Sequence, residues 1–293
     1  MSESPPPSQS ARKARVRAEW TPPPGPLPAG DNGDPELRPG EGESLDMLGG
    51  DWRIFQRRDG HRYSTDDLLC AWFACRQAED RGVRVERALD LGAGIGSIAM
   101  MVAWKHPAAR LVAVEAQEIS ARLFARSIRF NGAGERIDLR HGDLRDELLL
   151  PEMGAFDLVT GSPPYFDEAD GVVSDLPQRG PCRFELRGGV EGYAVAGARA
   201  LAPEGVMALV HTWAARERVE EAAAAAGLTV VTTLPISFRE GKAPHLGLYE
   251  LAHRAISVAR REASPRPPLM IRDARDRRTL EYSTARAWIG FPP

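Results

Sequence analysis

From Arg84 onward, short apolar runs alternate with stretches whose apolar positions recur every three to four residues, the pattern of strands separated by helices. Strands are predicted at 87–91 (RALDL), 110–115 (RLVAVE), 136–140 (RIDLR), 156–161 (FDLVTG), 205–210 (GVMALV), 228–234 (LTVVTTL) and 246–252 (LGLYELA), with helices between the earlier ones. Strands joined through helices take right-handed crossovers, which makes them parallel and covers the sheet on both faces. The last two runs, linked by PISFREGKAPH, read instead as an antiparallel pair. The expected fold class is therefore α/β, a doubly wound, seven-stranded, mostly parallel sheet with an antiparallel last strand.

Before Arg84 the pattern changes. STDDLLCAWFACRQAED places Leu68, Leu69, Trp72 and Phe73 at helical spacing, and Ser64 with Asp67 forms a capping-box pattern at its start. The preceding DWRIFQRRDGHRYS reads as a strand, a turn at Asp59 and Gly60, and a second short extended piece. Residues 1–44 are rich in Pro, Gly, Ser and charge, offer no periodic apolar face, and are expected to form a disordered tail. Residues 45–293 then form one domain: a hairpin and helix at 45–86, a core at 87–256 and a basic arm at 257–293.

A length of 293 residues with 43% hydrophobic content suits one large domain and disfavours a second. The formal charge of −3 gives no global attraction to nucleic acid, so such binding would rest on local arginines. Cys70, Cys75 and Cys182 are odd in number and lack metal-ligand spacing, which fits a reducing compartment and predicts no metal. No run reaches the ~18 apolar residues of a membrane span, so no membrane association is expected and a cytoplasmic location is.

Three glycines, Gly92, Gly94 and Gly96, fall where the first parallel strand meets its helix, in LDLGAGIGS. Glycine there lets the backbone turn tightly and approach a ligand that the helix N-terminus faces. The spacing is G-x-G-x-G rather than the G-x-G-x-x-G of pyrophosphate sites, and Asp90 stands two positions before the loop. A carboxylate so placed repels phosphate and favours an ammonium group. Glu115 ends the second strand, where it can accept ribose hydroxyls, and Asp143 follows the third, where it can accept from an adenine amino group. Each has a plainer reading, Glu115 as a solvated strand end and Asp143 as a helix cap. Together the three carboxylates meet the needs of S-adenosylmethionine for its amino-acid part, ribose and base.

LDLGAGIGS, VAVEAQ and HGDL resemble the successive motifs of the class I S-adenosylmethionine-dependent methyltransferases, whose Rossmann-like fold has seven strands with the last antiparallel. By that alignment Ser162-Pro163-Pro164-Tyr165 lies after the fourth strand and resembles the (Asp/Asn/Ser)-Pro-Pro-(Tyr/Phe/Trp) motif of enzymes that methylate planar nitrogen. An exocyclic amine is a poor nucleophile because its lone pair is conjugated into the ring. The Ser162 side-chain oxygen and the Pro163 carbonyl can accept its two N–H bonds and draw the nitrogen toward tetrahedral geometry. Tyr165 offers a stacking face, and Phe166 walls the pocket. Arg183, with Arg179 and Arg187, follows in a segment expected to act as a lid that contacts phosphates.

DGHRYSTDDLLCAWFA, SPPYF and LMIRDARDRRTLEYSTARAWIGF further resemble the valine-tRNA adenine-N6 methyltransferases. The resemblance covers about Leu45 to Phe291, makes tRNA the implied partner and the adenosine beside the anticodon the implied target, and places Tyr63, Thr65 and Asp66 near the cofactor's methionine end. The family's usual Asn is Ser162 here. The alternatives are amino-methylation of rRNA, DNA or a protein glutamine, and a module that binds RNA or cofactor without catalysis.

Overall fold

The computed structural model describes residues 20–166, 178, 185, 188–255 and 266–293. A hairpin of β1 (Glu43–Met47) and β2 (Arg53–Arg57) precedes α1 (Thr65–Asp80). The central sheet is built from β3 (Arg87–Leu91), β4 (Arg110–Glu115), β5 (Ile137–His141), β6 (Phe156–Gly161), β7 (Leu201–Thr212), β8 (Leu228–Ser237), β9 (Leu246–His253) and β10 (Leu269–Met270). The remaining helices are α2 (Ser97–Lys105), α3 (Glu118–Phe130), α4 (Val190–Ala200), α5 (Arg216–Ala225) and α6 (Leu280–Trp288).

The sheet order is β10-β8-β9-β7-β6-β3-β4-β5, and β9 runs antiparallel to both β7 and β8. The predicted seven strands and the antiparallel pair are present, extended by β10, which pairs parallel to β8 through Leu269 and Ile236. The order turns outward on either side of β3 and β6, so the carboxyl ends of these two strands diverge into a crevice where ligands of such sheets bind. One face packs under α1, α2 and α3 in a core holding Leu69, Phe73, Met100 and Phe124; the other packs under α4 and α5 around Val159, Met207 and Leu209.

Two expectations change. β2 pairs backward with β1, not forward through Asp59 and Gly60. The turn lies at Gly49 and Gly50, both at positive φ, which matches the twist of a tight hairpin, while Gly60 leads into irregular backbone. The β5 to β6 crossover, residues 142–155, consists of turns rather than a helix, with Leu150 as its buried anchor.

Packed structure also reaches N-terminal of Leu45. A 3-10 turn at Pro35–Leu37 buries Leu37, Arg129 bonds Glu36 and Asp34 in ion pairs, and Arg126 holds both oxygens of Glu43 at 2.8 and 2.9 Å. Charged side chains can thus fix a segment that has no apolar period. On the same helix, Ser127 Oγ accepts from Phe55 N and Asn131 Oδ1 accepts from Arg53 N, satisfying donors of the hairpin edge. Among the described residues, no helix is long and apolar enough to cross a membrane.

Candidate active site

At the carboxyl edge of β3, β4 and β6 lies a cleft of about 360 Å³. Its walls include Asp66, Asp67, Asp90, Gly92, Gly94, Glu115, Asp143 and the whole run Ser162 to Phe166. Residues from five separate sequence segments therefore meet in one place, although 99 positions separate Asp66 from Tyr165, whose hydroxyl donates to Asp66 Oδ2 at 2.9 Å.

The glycine loop is shaped by backbone need. Gly92, Gly94 and Gly96 all have positive φ. A Cβ on Gly94 would meet nothing within 4 Å, so its backbone is open to the cleft. A Cβ on Gly96 would lie 2.1 Å from the Phe124 ring, and Gly96 does not line the cleft. It serves the packing of α2 on α3, whereas Gly94 leaves open space on the cleft side.

Glu115 is buried at the end of β4, with Oε2 accepting from Gly94 N at 2.7 Å and Oε1 from Gln117 N at 2.6 Å. These bonds fix the carboxylate against the loop. Asp143 lines the wall, but Arg145 already holds it through Nε at 2.9 Å and Nη2 at 2.6 Å, and Asp143 Oδ1 also accepts from the Arg145 N–H. Asp143 caps no helix, since residues 142–155 form turns, but its carboxylate is held within a turn, and an adenine amino group would have to share it.

The floor is acidic. Asp90 is buried, accepting from Thr160 Oγ1 at 2.7 Å and Ala99 N at 3.0 Å, and burial pushes its carboxyl up to about 7. Asp67 is pushed up to about 8 by burial and by neighbouring Asp66. Carboxyls so raised hold protons near neutrality for want of a counter-cation. A bound ammonium or sulfonium would supply one, so the donor set fits S-adenosylmethionine and opposes a phosphate.

Tyr63 and Thr65 are not brought to this cleft. They line a second pocket with Arg62, Tyr282 and Arg286; the Tyr63 hydroxyl donates to Met47 O at 3.0 Å, and its ring packs against Phe291. Successive helical residues point about 100° apart, so the turn of α1 that aims Asp66 and Asp67 inward aims Thr65 outward. Arg183, Arg179, Arg187 and Cys182 lie outside the described residues. In the basic arm, Arg277 pairs with Asp273, Arg272 with Asp276, and Arg278 with the carbonyl of Pro293, so these arginines are largely used within the arm.

Several cleft residues escaped the sequence reading: His61, Asp67 as a wall residue, Tyr193, Phe238 and His245. Phe238 and His245 lie in the link between β8 and β9, with ring centroids 5.0 Å apart. Because β8 runs parallel to the other strands, the link that follows it emerges at the ligand edge. That direction was the available signal.

Residues 76–179 match the family model described as the methyltransferase small domain. The chain is 35% identical over 120 residues to a ribosomal protein uL3 glutamine methyltransferase of Bradyrhizobium diazoefficiens, covering 40% of this chain and 35% of that protein. It is 30% identical over 151 residues to a tRNA1(Val) (adenine(37)-N6)-methyltransferase of Porphyromonas gingivalis, covering 51% of this chain and 58% of that one. It is 35% identical over 135 residues to a release factor glutamine methyltransferase of Mycolicibacterium smegmatis, covering 46% of this chain and 44% of that protein. The match thus spans from about a third to under two thirds of these relatives' lengths. In fold, the chain superposes on a predicted O-methyltransferase from Agrobacterium tumefaciens with a TM-score of 0.59 at 19% identity, covering 78% of this chain and 98% of that one.

Proposed function

We propose that this chain, whose residues 76–179 match the methyltransferase small domain, is an S-adenosylmethionine-dependent N-methyltransferase that acts on the exocyclic amine of adenine in tRNA, at the adenosine beside the anticodon. The observation that carries the reading is the placement of Ser162 and Pro163 on the wall that also holds Gly94 and Glu115.

Gly94, Glu115 and the acidic floor of Asp66, Asp67 and Asp90 would hold the cofactor. Bound there, it supplies an electrophilic methyl group on a sulfonium. The chain's own part is to present the nucleophile. The Ser162 oxygen and the Pro163 carbonyl accept the two N–H bonds of the amine, which localises its lone pair toward the donor side of the cleft. Proline at 163 and 164 removes competing backbone donors and stiffens the turn. The amine turns acidic as it is alkylated, so no strong general base is required.

Aromatic surface at the cleft favours a flat ring as the substrate. Phe166 is 38% exposed and Phe238 is 44% exposed, and both line the cleft with His245 beside Phe238. Stacking of a base on such faces is worth about 1–3 kcal/mol per base. A protein glutamine side chain has the same planar nitrogen, and two of the relatives named above act on glutamine, which makes it the second reading.

Methyl transfer from labelled S-adenosylmethionine to total tRNA, followed by nucleoside mass spectrometry, tests the assignment. N6-methyladenosine mapping beside the anticodon supports it. Transfer to a glutamine-bearing peptide with none to tRNA replaces it by the second reading.

A further inference from the structure

The second pocket, of about 280 Å³, has no part in the chemistry described above. Ser64 lines both it and the cleft, so the two cavities are neighbours that share a piece of wall. Its other walls include Arg62, Thr65 at the start of α1, and Tyr282 and Arg286 of α6.

The charges of this pocket do not cancel. Arg62 is answered by Asp46, whose Oδ2 accepts from Nη2 at 2.9 Å, and its Nη1 donates to Ser44 Oγ at 3.1 Å. Arg286 enters no ion pair among the described residues, and its side chain donates from Nε to the carbonyl of Pro292 at 2.9 Å. The Tyr282 and Phe291 ring centroids lie 5.7 and 5.4 Å from its guanidinium carbon. The fork is thus held in place while Nη1 and Nη2 stay open. A guanidinium fixed in advance loses little freedom on binding, and its planar pair of donors matches a phosphate.

A second group lacks a partner at the same place. Tyr282 is 4% exposed, yet its hydroxyl has no hydrogen-bond partner among the described residues. A buried phenol ordinarily finds one, and the open space beside this residue is the pocket. An anion, which only accepts, would satisfy the phenol and the guanidinium together.

The neighbouring cleft selects the anion. An adenosine within an RNA strand carries a phosphate on either side of its ribose, so a base that enters the cleft brings a phosphate with it. A glutamine side chain brings no charge of its own.

We propose that this pocket is a subsite for the RNA strand, in which the Arg286 fork and the Tyr282 hydroxyl receive a backbone phosphate next to the adenosine whose base occupies the cleft. The placement rests on the adenine reading of that cleft.

Binding of a short single-stranded RNA to the full chain, followed by fluorescence anisotropy across a salt series, tests it without turnover. Each phosphate neutralised on a single strand contributes about 0.7 to the slope of log affinity against log salt. Arg286→Gln should weaken binding about tenfold at low salt and reduce the slope by about 0.7. Arg286→Lys keeps the charge and loses the fork, so binding should weaken about threefold with the slope retained. Tyr282→Phe removes one neutral donor to a charged group, so affinity should fall about tenfold, again with the slope retained. In all three, Kd for S-adenosylhomocysteine should hold within about twofold. An unchanged slope in Arg286→Gln, or an unchanged affinity in Tyr282→Phe, overturns the proposal. So does an equal loss of S-adenosylhomocysteine binding, since these residues would then act on the fold.

Methyl transfer separates the subsite from the reading on which it rests. With tRNA as acceptor, Arg286→Gln should raise KM about tenfold and leave kcat within about twofold. Wild-type transfer to a glutamine peptide with none to RNA sinks the adenine reading, and the salt slopes on RNA then decide the pocket. A peptide KM that rises in Arg286→Gln, with no change of slope on RNA, overturns the RNA assignment and gives the pocket to an acidic peptide segment.

Discussion

Glu115 shows how the backbone fixes a single side chain on the wall of the cleft. Its two oxygens are fixed by the N–H groups of Gly94 and Gln117, and it is buried at the strand end. Hydrogen bonds to a charged group are worth about 1.5–3 kcal/mol, so Glu115→Ala should weaken S-adenosylhomocysteine roughly ten- to a hundredfold by calorimetry. Retention of affinity within a factor of two would mean that the ribose lies elsewhere. Residues of this kind were legible because they sit next to their own motif: Asp90, Glu115 and Ser162 each follow an apolar run that ends at the ligand edge. Asp67 was legible only as a cap. Its N–H partner at Ser64 is real at 3.0 Å, but its contact with the cleft depends on how α1 lies across the sheet, which no local pattern records.

At the scale of elements, the glycine loop separates two demands that look identical in sequence. Gly96→Ala puts a methyl into the Phe124 ring at a backbone with φ of 87°, and overpacking plus strain should cost about 3 kcal/mol, lowering Tm by roughly 10 °C. Gly94→Ala meets open space, so only the backbone strain of about 1 kcal/mol applies to stability, while the added methyl points to where the cofactor would approach. The expected outcome is a Tm close to wild type with cofactor affinity reduced at least about tenfold. Thermal melts and calorimetry on the pair check the division; equal melts for both variants would refute it. A second joint ties α1 to the antiparallel strand. Arg81, just past the helix, holds fully buried Glu250 of β9 through Nε at 3.0 Å and Nη2 at 2.9 Å, and also bonds Thr232. Arg81→Ala would strand a buried carboxylate and should cost about 3–5 kcal/mol in denaturant unfolding. The strands themselves were readable because their apolar runs are continuous, and the β1–β2 pairing was not, since Asp59-Gly60 is as good a turn signal as Gly49-Gly50. What chose between them is tertiary: α3 offers Ser127 and Asn131 to the hairpin edge, contacts separated by 72 and 78 positions.

Over the whole molecule, two cores grip one sheet, and the price is an acidic group of residues at its open edge. Asp67, at about 8, and Asp90, at about 7, are raised above the ordinary carboxyl value by burial, Asp67 also by Asp66. A carboxyl raised in the folded state gives stability that is full below its unfolded value near pH 4 and is lost as pH climbs through the folded value. The free protein should therefore lose stability from these two groups between about pH 4 and pH 8. Buried His106 and His211 act the other way, since burial lowers their ring values and the folded state resists protonation below about pH 6.5. Above that pH the carboxyls dominate, so Tm should fall from pH 6.5 to pH 8.5, and Asp67→Asn should flatten the fall. A ligand ammonium resting on this floor reverses the balance: it favours the ionised carboxyls, so binding near pH 7 releases protons and affinity rises with pH until both groups are ionised in the free protein. Saturating S-adenosylmethionine should accordingly raise Tm more at pH 8 than at pH 6, and calorimetry in two buffers of different ionisation heat should register proton release at pH 7. A pH-independent stabilisation with no proton release would mean that the cofactor's cationic end lies away from Asp67 and Asp90, and that these carboxyls serve the fold alone.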